Sequence, residues 1–232
     1  MEAIKIAKKF IEKYYTNCLV AFLSGSVVRG EGTPTSDLDI VVILKPGEKH
    51  HRRSFIFNNQ PIEVFANTEE SIEKFFKFDV AEKEPSLPQM CSEGIIIRDT
   101  HGLGERIKER ACELLAKGPG ILSKKEIDDY RYSITDLLDD FSGSTKKEES
   151  IFIVERLVNN AVKLHLLANG QWVGKGKWLY RALKSFDPDL AKELVTAMEL
   201  FFCHNNPSAV IELVDRILAP FGGRLFEGYY RD

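Results

Sequence analysis

Two kinds of hydrophobic pattern alternate along the first half of the chain. Short apolar runs bounded by glycine, proline or asparagine are typical of buried strands about four to eight residues long. The predicted strands cover 18–24, 38–44, 52–57, 61–66 and 95–97. Apolar residues at helical spacing predict helices over 2–15, from Thr68 onward and over about 104–117. This half should therefore form a small sheet with flanking helices.

Aromatic and proline residues refine the middle of this pattern. Phe75, Phe76 and Phe78 lie on the predicted helix that follows the strand at 61–66. We expect these three side chains in the core, because large apolar groups are usually buried. Pro85 and Pro88 then break the helical pattern, since proline lacks the backbone donor that a helix needs.

The second half of the chain has helical spacing almost throughout. Gly118-Pro119-Gly120 is a strong stop signal, and we take it as the boundary between domains at 1–120 and 121–232. Beyond it, Ser123 begins a predicted helix, a second helix ends at Asn169-Gly170, and further helices follow over 178–186, 188–204 and 207–219. Short connections between helices favour antiparallel neighbours and hence an all-α bundle.

Composition narrows the class of protein. The chain has 232 residues, 44% of them hydrophobic, which is enough to fold into one large or two modest domains. Its formal net charge of -3 disfavours a broad nucleic-acid footprint, which normally needs a basic face. The four cysteines lack metal-ligand spacing, and the first residues resemble an amphipathic helix more than a signal peptide. We therefore expect a cytoplasmic protein with reduced thiols and no membrane segment.

Two carboxylates one residue apart are the first candidate for chemistry. Asp37 and Asp39 stand at the head of the apolar run 40–44. Side chains alternate along a strand, so both acids point the same way. Like charges held this close repel each other unless a cation lies between them. Carboxylate pairs suit Mg²⁺, which takes few protein ligands and adds substrate phosphates.

A turn upstream of this pair suits phosphate. Gly25 lets the backbone approach a ligand closely, and Ser26 offers a hydroxyl and an N–H group. A short helix beginning at about Val27 would favour an anion at its free N–H groups. Arg29 matches phosphate oxygens with its planar fork, and Ser36 is placed to brace a carboxylate or a phosphate.

Together these residues resemble the signature of the polymerase-beta-type nucleotidyltransferase superfamily. The matching stretches are 24–30, with Gly25-Ser26, and 36–42, with Asp37-Leu38-Asp39. The superfamily adds a third carboxylate between apolar residues on a neighbouring strand, and Ile62-Glu63-Val64 supplies it. The two-domain bacterial enzymes that modify kanamycin and other aminoglycosides are the most similar subgroup. The resemblance implies an α+β fold, with a small mixed β-sheet nucleotidyltransferase domain and a helical-bundle domain for substrate.

The resemblance also implies a reaction. A nucleoside monophosphate, AMP from ATP in most relatives, would pass to a hydroxyl of a small acceptor, such as an aminoglycoside-like molecule, with release of pyrophosphate. Asp37, Asp39 and Glu63 would be catalytic and would hold two Mg²⁺ ions, for which Mn²⁺ can substitute. Gly25, Ser26, Arg29 and Ser36 would bind the nucleotide.

Some assignments stay open at the level of sequence. The general base is Glu63 or one of the acids near the start of the helical domain, which are Asp136, Asp139, Asp140, Glu148 and Glu149. Lys175 and Lys177, in a family-like Gly-Lys-Gly-Lys-Trp context, are either nucleotide ligands or ordinary loop lysines. A protein or RNA acceptor and a non-catalytic nucleotide-binding module are the alternative functions. A homodimer is compatible with the helical domain.

Overall fold

The computed structural model describes residues 2–231, which form two compact units divided between Lys117 and Gly118. The amino-terminal unit contains a mixed five-stranded sheet with flanking helices, and the carboxy-terminal unit is helical. The predicted α+β fold class is confirmed. None of the helices in this part of the chain is both long and apolar enough to cross a membrane.

The amino-terminal unit is built on a sheet with strand order β3-β4-β2-β1-β5. Its elements are α1 (Glu2–Tyr14), β1 (Val20–Ser24), β2 (Leu38–Ile43), β3 (His51–Phe57), β4 (Gln60–Asn67), α2 (Glu69–Ala81), α3 (Ser86–Glu93), β5 (Ile95–Arg98) and α4 (Leu103–Ala116). The pair β2–β4 is parallel, and the other neighbouring pairs are antiparallel. Each of the five predicted strands is therefore present, with ends shifted by one or two residues.

Both faces of this sheet are covered. Successive residues of β2 point to opposite faces, so a continuous apolar run is needed to fill two cores. Ile40 joins a cluster with Phe10 of α1 on one face. Val41 joins a second cluster with Phe76 of α2 and Ile107 of α4 on the other face. The central strand is thus fixed from two sides, and Asp37 and Asp39 lie at its amino-terminal end.

Two expectations for the segment after β4 need correction. Phe76 is fully buried, but Phe75 and Phe78 are exposed, because one helix face alone meets the sheet. The helical pattern is interrupted between Ala81 and Ser86, but Pro88 lies inside a further helix, α3, which runs from Ser86 to Glu93. Pro85 precedes its first residue and Pro88 lies in its first turn, where the missing N–H would have no helical partner in any case.

The carboxy-terminal unit consists of helices around one core. They are α5 (Lys124–Gly143), α6 (Lys147–Ala168), α7 (Lys177–Phe186), α8 (Pro188–His204) and α9 (Ser208–Leu218). Ser123 caps α5 in a reciprocal arrangement with Glu126, and Asp187 caps α8 through the Leu190 N–H. Fully buried residues such as Leu138 and Leu157 form the core between them.

The last residues pack back onto α5. Arg131 donates hydrogen bonds to the carbonyls of Gly222 and Gly223 at 3.0 and 2.9 Å, and it also pairs with Asp128. Tyr229 stacks on a tyrosine of α5 and donates to Asp129 at 2.6 Å. Arg131 therefore stabilises the end of the helical unit.

Candidate active site

Three carboxylates converge at one end of the sheet. Asp39 lies in β2 and Glu63 in β4, directly opposite each other in the parallel register, and Asp37 precedes Asp39 on the same side. Each residue offers one carboxylate oxygen, and these three oxygens lie within 4.8 Å of one another. All three residues are partly buried. The structure thus brings together the acids that the sequence singled out.

The turn after β1 lies against this cluster because of its pairing with β2. Ser24 is the register partner of Asp39, so the chain leaves β1 beside that carboxylate. Gly25 follows with a φ of +79°, and a Cβ atom there would overlap with Oδ2 of Asp39. Only glycine fits this position, both for its left-handed backbone and for the space available. The backbone therefore comes close to the Asp39 carboxylate.

The short helix considered at Val27 is not formed. The segment forms successive turns instead, with hydrogen bonds from the Val28 N–H to the Gly25 carbonyl and from the Gly30 N–H to the Val27 carbonyl. Gly25 and Gly30 both have positive φ, which a helix does not tolerate. Any anion-binding role of this segment would rest on turn N–H groups, without a helix terminus.

The hydroxyl groups expected near phosphate are close together. Ser26 Oγ donates to Ser36 Oγ at 3.4 Å, and Ser36 Oγ accepts the Thr33 N–H at 2.8 Å. Arg29 instead contacts two acids: it pairs with Glu31 at 3.2 Å and with Glu93 of α3. A phosphate at Arg29 would therefore compete with carboxylates that already hold its guanidinium.

Repulsion within the cluster affects Asp39 most clearly. Burial, as the largest cause, and the neighbouring charges of Asp37 and Glu63 together raise the pKa of Asp39 to about 6, although Arg29 and Arg52 act in the opposite direction. A carboxylate shifted in this way is stabilised by added positive charge. The donor set fits a hard divalent cation, because it contains only carboxylate oxygens and brings three of them close together.

Arg52 was not among the residues singled out from the sequence. Its Nε and Nη2 donate to the two oxygens of Glu63, each at 2.7 Å, and its guanidinium carbon lies 4.8 Å from the ring centroid of Phe65. The antiparallel pairing of β3 with β4 places Ser54 opposite Glu63. Arg52 is two residues from Ser54 and so shares its face. The register of the hairpin predicted between these strands is the signal that would have found Arg52.

A small cavity adjoins the acids on the same unit. It has a volume of about 230 Å³ and is lined by Asp37 and Glu63 together with Ser54, Ile56 and Pro61. Ile56 is 73% exposed, so one wall is apolar and open to solvent. The cavity has room for part of a small molecule beside the carboxylates.

The remaining candidate residues belong to the carboxy-terminal unit. They are Lys175, Lys177, Asp136, Asp139, Asp140, Glu148 and Glu149. Lys177 begins α7, and its Nζ lies 5.8 Å from the ring centroid of Trp178. Asp139 pairs with Arg224 at 3.2 Å, so its charge is partly compensated, while Asp136 and Asp140 are exposed on α5. Their roles stay predictions.

A family match covers the segment that contains the three acids. Residues 4–87 match the family described as "Nucleotidyltransferase domain", a match that lies within the amino-terminal unit and includes all three acids. A solved nucleotidyltransferase-like protein from Exiguobacterium sibiricum 255-15 is similar over 94% of this chain and 74% of its own, with 13% sequence identity and a TM-score of 0.48. No curated protein matches the chain. The family match supports the nucleotidyltransferase superfamily and a nucleotidyl transfer activity in general.

Replacing Gly25 tests the close approach of the turn to Asp39. We expect Gly25→Ala to destabilise the amino-terminal unit by several kcal/mol, because a positive φ costs about 1–2 kcal/mol and the clash with Asp39 adds to it. Gly30→Ala is the matched control, since Gly30 has a φ of +74° and a Cβ atom there would meet nothing within 4 Å. Amide hydrogen exchange of β2 would measure both variants, and equal losses would contradict the role given to the contact.

The raised pKa of Asp39 predicts how stability depends on pH without divalent ions. The folded-state pKa of about 6 exceeds the ordinary value of 3.8, so ionising Asp39 costs more in the folded than in the unfolded state. This cost lowers the free energy of unfolding. The loss begins as pH rises through 3.8 and is complete above about pH 6. Asp39→Asn removes the penalty. We expect it to stabilise the unit by about 1–2 kcal/mol at pH 7.5, after allowing for solvent screening, and by close to nothing at about pH 4.

Hydrogen exchange of β2 in a chelating buffer, compared between the two proteins at each pH, measures this difference. If the Asn variant were no more stable at about pH 7.5 than the unchanged protein, the carboxylate would not be under the electrostatic stress described above.

Proposed function

We propose that this protein transfers a nucleoside monophosphate, AMP from ATP, to a hydroxyl group of a small acceptor and releases pyrophosphate. One observation carries the proposal: Asp37, Asp39 and Glu63 converge to within 4.8 Å inside the segment that matches a nucleotidyltransferase domain. A nucleotide-binding module without catalysis would not need three carboxylates at one point.

The three acids would hold divalent cations, Mg²⁺ or Mn²⁺. Such ions, when bound, neutralise charge on the triphosphate and lower the pKa of the attacking hydroxyl. The chain itself would mainly position the reactants, as is usual for phosphoryl-group chemistry. Gly25 would admit the triphosphate close to the backbone, and the hydroxyls of Ser26 and Ser36 would donate to its oxygens.

The bond changes follow from the reactants. The acceptor oxygen bonds to the α-phosphorus, the bond from that phosphorus to the bridging oxygen breaks, and pyrophosphate leaves with the electron pair. The hydroxyl proton goes to a carboxylate. Glu63 is our first candidate for this base, because its carboxylate lines the small cavity beside Asp37. An acid of the helical unit, on α5 or α6, is the alternative.

A cationic acceptor agrees best with the charges. The chain has a net charge of -3, and Asp136 and Asp140 present exposed carboxylates one helical turn apart on α5. Exposed acids attract a polycation such as an aminoglycoside. The nucleotide-binding role predicted for Lys175 and Lys177 also belongs to this proposal. The substrate-binding role of the helical unit is part of this proposal.

A direct test incubates the protein with each nucleoside triphosphate, Mg²⁺ or Mn²⁺, and a panel of acceptors, and follows pyrophosphate release. Mass spectrometry of the acceptor then identifies the group added. Pyrophosphate with aminocyclitols or other small polyols supports the proposal. If only protein or RNA were labelled, the acceptor would be a macromolecule and the proposed small acceptor would be wrong. Absence of turnover with every acceptor would contradict the proposed nucleotidyl transfer.

The acids should be indispensable for turnover. We expect Asp37→Asn and Asp39→Asn each to lower kcat by roughly 100-fold or more, because each removes a charge at the point where phosphate charge must be balanced. Glu105→Gln, an exposed acid in the first turn of α4, serves as control and should leave the rate unchanged. Normal turnover in either Asp variant, measured as pyrophosphate release, would remove the proposed site.

The acids of α5 should affect binding more than rate. The double variant Asp136→Asn, Asp140→Asn is expected to raise the KM for a cationic acceptor severalfold with little change in kcat, since exposed charges contribute modestly. A neutral polyol acceptor provides the control and should keep its KM. Steady-state kinetics at low ionic strength measure both, and an unchanged KM for the cation would show that α5 does not face the acceptor.

A further inference from the structure

Arg52 is directed at the acid cluster from the neighbouring edge strand. It binds both oxygens of Glu63 at 2.7 Å in a fork-to-fork arrangement, which is the strongest geometry for such a pair. Phe65, its register partner on β4, lies beneath the guanidinium. The position of Arg52 is therefore defined by two hydrogen bonds and by a cation–π contact.

The two partners differ in exposure. The Glu63 side chain is 18% exposed, whereas that of Arg52 is 65% exposed. The carboxylate is thus held within the site, and the guanidinium approaches it from solvent. The Arg52 side chain can therefore leave the pair towards solvent, but the mostly buried Glu63 carboxylate then needs another positive charge in its place.

Arg52 also differs from the other arginine near the cluster. Arg29 makes ion pairs with Glu31 and Glu93, which are not members of the three-acid cluster. Arg52 pairs with a cluster member itself. The positive charge of Arg52 therefore lies where the cluster would otherwise accept a cation.

We propose that Arg52 is a positioning residue that acts as the resident counter-ion of Glu63 and competes with divalent ions for this carboxylate. In the free protein, an ion bound through Glu63 must take an oxygen from the guanidinium or tolerate its charge nearby. Arg52 therefore lowers the ion affinity of the free protein. The inference rests on the proposed function only in that the three acids bind divalent ions.

The competition would couple the ion to the nucleotide. A triphosphate offers Arg52 an alternative partner, because guanidinium groups bind phosphate as well as carboxylate. Once Arg52 moves to phosphate, both oxygens of Glu63 become available. Ions would then bind weakly to the free protein and tightly together with the triphosphate. Few ions would therefore occupy the site before the triphosphate binds.

The test is a Mn²⁺ titration of the full-length protein without nucleotide, followed by electron paramagnetic resonance of the free ion. We expect Arg52→Gln to bind Mn²⁺ roughly fivefold more tightly, as removal of one nearby positive charge predicts. Arg52→Lys keeps the charge and loses the bidentate geometry, so its affinity should lie between the two. Arg53→Gln is the matched control, since Arg53 stacks on Phe55 of the same strand, on the opposite face of the sheet.

Three results would overturn the inference. An unchanged affinity in Arg52→Gln would show that Arg52 does not compete with the ion, and a weaker affinity would show that it only orients Glu63 for the ion. A gain of the same size in Arg53→Gln would show a general charge effect. Hydrogen exchange of β3 and β4 confirms that the variants are folded. The Mn²⁺ affinity of Arg52→Lys is a second measurement of the same competition.

Failure of the proposed function gives a different result. The titration needs neither nucleotide nor acceptor, so a tighter Arg52→Gln variant supports the inference even if no acceptor releases pyrophosphate. If no variant binds Mn²⁺ in this titration, the inference is wrong, whether or not turnover is found. A repeat with a non-hydrolysable triphosphate should reduce the difference between Arg52→Gln and the unchanged protein, and a persistent difference of about fivefold would contradict the proposed transfer of Arg52 to phosphate.

Discussion

The parallel pairing of β2 with β4 is the constraint on which the site depends. It places Asp39 beside Glu63, and Asp37 lies on the same side because it is two residues before Asp39. Each pair of ionised carboxylates at this separation costs about 1–4 kcal/mol, depending on the effective dielectric constant. The apolar residues of β2 and β4, buried on both faces of the sheet, hold the strands in register against this repulsion.

The resulting charge affects both paired strands. Burial and neighbouring acids raise the pKa of Asp39, and Arg52 binds Glu63 directly. Gly25 brings backbone so close to Asp39 that a side chain would clash with it. The positions of the negative charges are thus fixed before any ligand binds. This preorganisation is what a reaction of polyphosphates requires from a protein that does little covalent chemistry itself.

Much of this arrangement was predictable from local patterns, and the exceptions have physical causes. The acids and Gly25 were predictable because strand alternation and turn chemistry act over a few residues. Arg52 was missed because its contact depends on the register of a hairpin, which a one-residue slip would reverse. Helix α3 was missed because prolines that begin a helix look, in sequence, like prolines that break one. Phe78 was expected in the core, but only the packing of α2 on the sheet decides which helix face is covered.

The position of β3 at the margin of the sheet has one more consequence. An edge strand exposes unpaired backbone groups that can recruit another chain, and natural proteins often protect such edges with charge. His51, Arg52 and Arg53 provide that protection along β3, since all three are exposed. Arg52 would then serve solubility as well as the acid cluster. A β-branched apolar residue in place of Arg52 would leave this edge strand less charged and more prone to pair with another chain. Self-association through strand addition would then be the main consequence.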